Sequence, residues 1–179
     1  MKQLSLLKNE NSAYGGVLLK TRKGRAKPRP LSTRETLHLV LRSTKAKGDW
    51  SFAKAQNRKK IDGLLRKFAK KYGVKVLSYA NVGNHLHFHV KLSNRYLYAP
   101  FIRALTGAIA MAVTGTSRWK RLKREAKDRF WDYRPFTRVV KSFRAFLNLR
   151  DYIRINQLEG RGYSRTQARF FVACAPDTS

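Results

Sequence analysis

Apolar residues follow two rhythms along the chain, and the switches between them set out an order of elements. Leu37, Leu39 and Leu41 alternate with His38 and Val40, which predicts a strand. After a polar loop through Gly48, residues Ile61, Leu64, Leu65, Phe68 and Tyr72 recur at helical spacing, with Arg and Lys on the other face. Gly73 ends that helix. Residues 74–79 read as a second strand, 81–84 as a turn and 85–92 as a third strand. Residues 98–113 predict a second helix that stops at Gly115, with Gly107 weakening its interior. Pro135 opens a fourth strand over 136–140. Ser142 then caps a helix that runs to about Leu158 and is closed by Gly160 and Gly162.

The first six elements spell a split ferredoxin-like pattern. The expected fold is α+β: an antiparallel sheet with helices on one face, and an additional C-terminal helix. The other sheet face is then open to a ligand. A length of 179 residues fits one domain with short extensions. The division expected is a basic N-terminal extension (1–30), a domain (31–162) and a C-terminal tail (163–179). The extension holds Gly15, Gly16 and the run KTRKGRAKPR, which has breakers and no periodicity. It reads either as a disordered tail or as an arm lying along phosphates.

Charge narrows the partner. Lys and Arg number 40 against 10 Asp and Glu, a formal charge of +30. Such an excess repels itself unless an anion is near. Phosphate backbones answer it, because each neutralised phosphate releases condensed cations. A bilayer is the other polyanion, but the weakly polar stretch 104–115 falls short of the roughly 20 residues needed to span one. Leu4, Leu6 and Leu7 run at once into Lys8, Asn9 and Glu10, unlike a signal peptide. The single cysteine, Cys174, excludes an internal disulfide and a cysteine-built zinc site. The expectation is a cytoplasmic, nucleoid-associated protein with no membrane partner.

Three of the four histidines fall within Asn84-His85-Leu86-His87-Phe88-His89-Val90. On a strand, His85, His87 and His89 share one side, while Leu86, Phe88 and Val90 share the other and can pack on helices. Imidazoles at i and i+2 start about 7 Å apart at the backbone, close enough to chelate one metal ion. The alternative is a half-exposed strand that happens to be His-rich. On the last helix, Asp151-Tyr152-Ile153-Arg154-Ile155-Asn156 sets Tyr152 and Asn156 one turn apart on one face. Ile153, Ile155, Phe143, Phe146 and Leu147 are available to dock that helix. Tyr152 could equally be a half-buried core residue.

Taken together, these groups suit phosphodiester cleavage. That reaction needs a nucleophile, a Lewis acid on the non-bridging oxygens and an in-line approach. A phenol oxygen can attack and keep the bond energy in a phosphotyrosine. Two imidazoles and an amide oxygen can hold a divalent ion with open positions.

Asn84-His85-Leu86-His87 resembles the HUH motif (His, hydrophobic, His) of single-tyrosine transposases. Phe130-Trp131 through Arg134-Pro135-Phe136-Thr137-Arg138-Val139-Val140, followed by Tyr152-Ile153 and Asn156, is similar to REP-associated tyrosine transposases, which read "FW…R.FS.VV" and then "YI..NP". The similarity spans roughly residues 30–162 in element order. It implies Mg²⁺ or Mn²⁺ on His85, His87 and Asn156, with Tyr152 as nucleophile. It also implies a substrate of single-stranded DNA with hairpin ends, cut to a 5′-phosphotyrosine and a free 3′-hydroxyl, by a monomer or a homodimer. Two departures stand out: Gln157 replaces the usual proline, and Val82-Gly83 replaces Met-Pro. Gln157 adds a second amide that could compete for the metal. His89 is expected in substrate contact or packing, and His38 beside it on the neighbouring strand.

For the DNA, the basic face of the first helix (Arg58, Lys59, Lys60, Arg66, Lys67, Lys70, Lys71) reads as a phosphate track or a solvated face. Trp119, Lys120 and Arg121, and then Phe130, Trp131 and Arg134, interleave rings with cations, as base-stacking surfaces do. Those rings could instead be core, the reading favoured for Phe130 and Trp131. Two competing functions remain open: a non-catalytic nucleic-acid-binding sheet and a replication-initiator or relaxase-like HUH nickase.

Overall fold

A computed structural model of the chain describes residues 14–15, 29–116 and 129–174. Its elements are β1 (Tyr14–Gly15), β2 (Thr36–Arg42), α1 (Ala55–Lys71), β3 (Val74–Asn81), β4 (His85–Leu92), α2 (Tyr98–Thr114), β5 (Phe136–Val140), α3 (Phe143–Glu159) and α4 (Arg165–Cys174). The strands form one antiparallel sheet in the order β1-β5-β2-β4-β3. The expected ferredoxin-like order is therefore present, with β2 and β4 adjacent at the centre.

Alternation along the strands divides the sheet into two faces. Leu37, Leu39 and Leu41 of β2 and Leu86, Phe88 and Val90 of β4 point to one side. There they meet Ile61 and Leu65 of α1 and Phe101, Leu105 and Ile109 of α2 in the main core. Removing this apolar surface from water drives the assembly. The stretch Arg95–Thr114 is long and apolar enough to cross a membrane by length and composition, with a mean hydropathy of 1.4, more than the short stretch 104–115 promised. One stripe of it, through Phe101, Leu105, Ile109 and Val113, is core against the sheet.

The opposite face is not open as the sequence suggested. α3 lies across it and packs on β3 and β4. A second, smaller core cluster forms there from Ala80, Val140, Leu149 and Ile153, with Phe146 alongside. Phe143, expected to help dock the helix, is instead 75 % exposed. Ser142 caps α3 as expected, its hydroxyl accepting from the Ala145 amide at 3.2 Å.

Both expected extensions carry structure. In the first, Tyr14 and Gly15 pair with Arg138 and Thr137 of β5, adding a short fifth strand. In the second, the supposed tail folds as α4, started by a reciprocal capping box. The Ser164 hydroxyl accepts from the Gln167 amide at 3.2 Å, and the Gln167 side chain accepts from the Ser164 amide at 2.9 Å. Ala168 of α4 is fully buried, and the helix packs on α3.

Candidate active site

The site forms where α3 crosses the polar side of β4 and β2. His85, His87 and His89 do share that side, with their rings facing α3 rather than the main core. Tyr152 stands beside them: its ring centre lies 5.3 Å from that of His87, at 89° to it, and 6.0 Å from that of His38. His85 and His87 are neighbours, with ring centres 4.8 Å apart.

Register explains how His38 joins the group. β2 sets His38 directly opposite His89, the pairing expected from the topology. The His38 ring, however, reaches diagonally to His87, stacking on it at 5.4 Å with Nε2 of His38 3.2 Å from Nδ1 of His87. His87 is only 4 % exposed, and its Nε2 is a buried nitrogen with no hydrogen-bond partner. Burial, then the neighbouring His38 and His85, lowers the His87 pKa to about 3. Burial, then His89 and Arg138, lowers that of His38 to about 4. Burial also lowers His85, which keeps Nδ1 2.6 Å from Asn84 Oδ1. All three rings are thus neutral near pH 7, the form in which imidazole binds a cation.

Asn156 is buried one turn after Tyr152, and its Nδ2 donates to the Tyr152 carbonyl at 2.7 Å. That bond orients the amide and leaves Oδ1 as its acceptor end. Among the described residues, no group of three or more His, Cys, Asp or Glu is placed to hold a metal ion. The orphaned His87 Nε2, a second neutral imidazole and a positioned carboxamide make a donor set that fits a divalent ion with open positions. Gln157, whose amide could have competed, turns the other way: its Nε2 donates to the Tyr79 carbonyl. His89 packs instead, with Nε2 2.7 Å from Thr36 Oγ1 and its ring against Phe146.

A cavity of about 330 Å³ opens beside the tyrosine, lined by His38, Arg138, Asn148, Leu149 and Tyr152 among others. Arg138 was missed as a site residue. The signal was present, since alternation in β5 puts Phe136, Arg138 and Val140 on the α3 side and Arg138 is registered with His38.

The basic track lies elsewhere. Lys59, Lys60, Lys67 and Lys70 are exposed on α1, across the sheet from Tyr152. Arg58 is not in that row; it is half-buried and its Nη2 donates to the Gly160 carbonyl at 3.0 Å. Arg134 is exposed, whereas Phe130 is buried core and the Trp131 indole donates to the Thr106 carbonyl at 3.1 Å. Trp119, Lys120 and Arg121 lie outside the described residues.

The family model described as "Transposase IS200 like" matches residues 32–156. The REP-associated tyrosine transposase bound to a REP hairpin shares the fold, with a TM-score of 0.57, 12 % identity, and coverage of 89 % of this chain and 94 % of that one. A candidate transposase from Deinococcus radiodurans R1 aligns with a TM-score of 0.39 and 18 % identity, over 74 % of this chain and 95 % of that one. No protein of curated function matches the sequence.

Proposed function

The chain belongs to the IS200-like transposase family, and we propose that it is a metal-dependent endonuclease and strand transferase for single-stranded DNA, acting in the cytoplasm through Tyr152. The observation that carries this reading is the phenol ring set against His87, whose Nε2 is buried and unpartnered. A tyrosine kept only for packing has no need of such a neighbour.

In this mechanism the Tyr152 oxygen attacks the scissile phosphorus. An O–P bond forms, the P–O3′ bond breaks, the phenol gives up its proton and the 3′ oxygen takes one up. The product is a 5′-phosphotyrosine and a free 3′-hydroxyl, and reversal onto a new 3′-hydroxyl joins strands. His85, His87 and the Asn156 oxygen would hold Mg²⁺ or Mn²⁺, which supplies Lewis-acid polarisation of the phosphate. For His87 to offer Nε2, its proton must sit on Nδ1, where the lone pair of His38 Nε2 can accept it. His38 is thereby a positioning residue that selects the tautomer. Arg138 and Asn148, in the cavity beside the phenol, can hold the phosphate oxygens in line. Tyr152 is 38 % exposed, so a strand can reach it. A nucleic-acid substrate is favoured by the net charge of +30, and a hairpin by the REP hairpin bound to the fold relative.

The test is incubation with labelled hairpin DNA and Mn²⁺, followed by denaturing electrophoresis and peptide mass spectrometry. A DNA adduct on Tyr152, lost without metal and in His87→Ala, supports the mechanism. Binding without an adduct favours the non-catalytic module.

A further inference from the structure

The donor set of the proposed metal site is uncharged: two imidazoles, in the neutral form that binds a cation, and one amide. Its surroundings are cationic. Arg42 of β2 is registered directly opposite His85, in a chain of 40 Lys and Arg against 10 Asp and Glu. Asp132 meets Arg42 only at 3.7 Å, and its other carboxylate oxygen accepts from the Thr44 amide and hydroxyl. Mg²⁺ and Mn²⁺ are hard cations that favour anionic oxygen. Among the described residues, Glu159 is the carboxylate placed to supply it.

Glu159 is the last residue of α3. Helical spacing sets it on the stripe of Tyr152 and Asn156, one turn beyond the amide and two beyond the phenol. The end of α3 is seated on the turn that carries His85. A methyl on Gly160 would overlap the Asn81 carbonyl, Asn81 is registered with Leu86, and the Val82 amide donates to the His85 carbonyl at 3.0 Å. The Glu159 side chain is only 20 % exposed. Its charge is felt at the His85 ring: burial and then Arg42 lower that imidazole, and Glu159 opposes them. It stands outside the donor set, as do the outer groups that hold and tune metal ligands elsewhere.

Folding alone gives Glu159 little reason to be there. An acid in the last turn of a helix is opposed by the macrodipole. Its ion pair with Arg165 of α4, at 3.5 Å, joins a cation that is 58 % exposed, and such pairs add little stability. Asp151, the other acid of α3, pairs instead with its neighbour Arg150 at 2.9 Å. We propose that Glu159 is an anionic positioning residue of the metal site, drawing a divalent cation onto His85, His87 and Asn156 from outside the donor set, with Arg165 as its tether. This rests on the metal-dependent reading given above.

The experiment titrates Mn²⁺ into the full chain without DNA and reads the free ion by electron paramagnetic resonance. Glu159→Gln is expected to weaken Mn²⁺ about tenfold, the lower end of the 10–100-fold loss when an outer group of a metal site is removed. Glu159→Asp keeps the charge on a shorter stem and retains more affinity than Glu159→Gln. Arg165→Ala breaks the same ion pair but leaves the carboxylate, and should bind Mn²⁺ as tightly as wild type or tighter. Affinity for hairpin DNA in EDTA, read by fluorescence anisotropy, holds or rises in Glu159→Gln, because a negative charge has gone. Equal Mn²⁺ affinity in wild type and Glu159→Gln overturns the proposal. So does an equal loss in Arg165→Ala, which would make the carboxylate a latch between α3 and α4. A fall in DNA affinity alongside that for Mn²⁺ shows a disturbed fold and overturns it as well. His87→Ala in the same titration separates the two readings: if it loses Mn²⁺ and Glu159→Gln does not, the role of Glu159 alone falls. A wild-type chain with no Mn²⁺ site sensitive to His87→Ala removes both.

Discussion

Gly160→Ala tests whether the seat of α3 on β3 sets the chemistry. Two opposite effects meet at this residue. Its backbone is helical (φ −66°, ψ −10°), so alanine adopts it freely and should gain about 0.4–1 kcal/mol by restricting the unfolded chain. A methyl group there, however, would overlap the carbonyl oxygen of Asn81. That oxygen is backbone at the end of β3, and the Asn81 side chain is itself tied to the Phe52 carbonyl at 2.7 Å. It cannot swing aside, so the end of α3 must withdraw by about 1 Å, an overpacking strain of about 1–3 kcal/mol. The clash wins, and the expected net loss is about 1–2 kcal/mol, lowering Tm by roughly 2–8 °C. Misplacing a reacting group by about 1 Å can cost 10²-fold, and Tyr152 two turns upstream moves by less, so adduct formation should slow about tenfold. Gly63→Ala is the control, because a methyl there meets nothing within 4 Å and should only stabilise α1. The assay pairs thermal melting with the rate of Tyr152 adduct formation in Mn²⁺. If Gly160→Ala melts higher, like Gly63→Ala, and cleaves at the wild-type rate, the close approach does not position the nucleophile.

Other substitutions separate chemistry from fold. Tyr152→Phe removes one exposed hydroxyl and keeps the ring beside His87, so the adduct should vanish in electrophoresis while Tm stays within about 1 °C. His38→Leu leaves His85, His87 and Asn156 intact but removes the acceptor for His87 Nδ1; Mn²⁺ affinity, read by titration, should fall about 10–100-fold, and His38→Gln should recover part of it. Equal affinity in His38→Leu would show that the ring only packs. Ile153→Ala empties a fully buried position of the smaller cluster and should cost about 2–5 kcal/mol in denaturant unfolding.

Much of the frame was legible because its signals are local. Alternation of Leu37, Leu39 and Leu41, and of His85, His87 and His89, carries the face of each residue with it, and Tyr152 to Asn156 is one helical turn. What was missed depends on long-range placement or on a signal passed over. The two residues of β1 are too few to show a period, and they pair only because the edge of β5 is there. α4 announced itself through Ser164 and Gln167, a capping box read as tail. Arg58 looked like one more cation on a basic helix. Only the arrival of the α3 terminus beside α1 turns it inward, onto the Gly160 carbonyl. Phe130 and Trp131, favoured as core rather than stacking rings, do pack in the main cluster.

The two core clusters also divide the labour between fold and function. The main cluster joins β2, β3 and β4 to α1 and α2, and that layer would close without α3. Among the described residues the smaller cluster buries just Ala80, Val140, Leu149 and Ile153, and it forms where α3 crosses the histidine face. Elements held by few buried apolar contacts are the ones that open locally first. On the proposed mechanism, a helix held this way can part from the histidine face to admit a DNA strand. The latches at its far end, Gly160 against Asn81 and Arg58 on the Gly160 carbonyl, then fix where the helix returns. How firmly α3 docks and where its end sits thus rest on different residues of one helix: Leu149 and Ile153 for the first, Gly160 for the second.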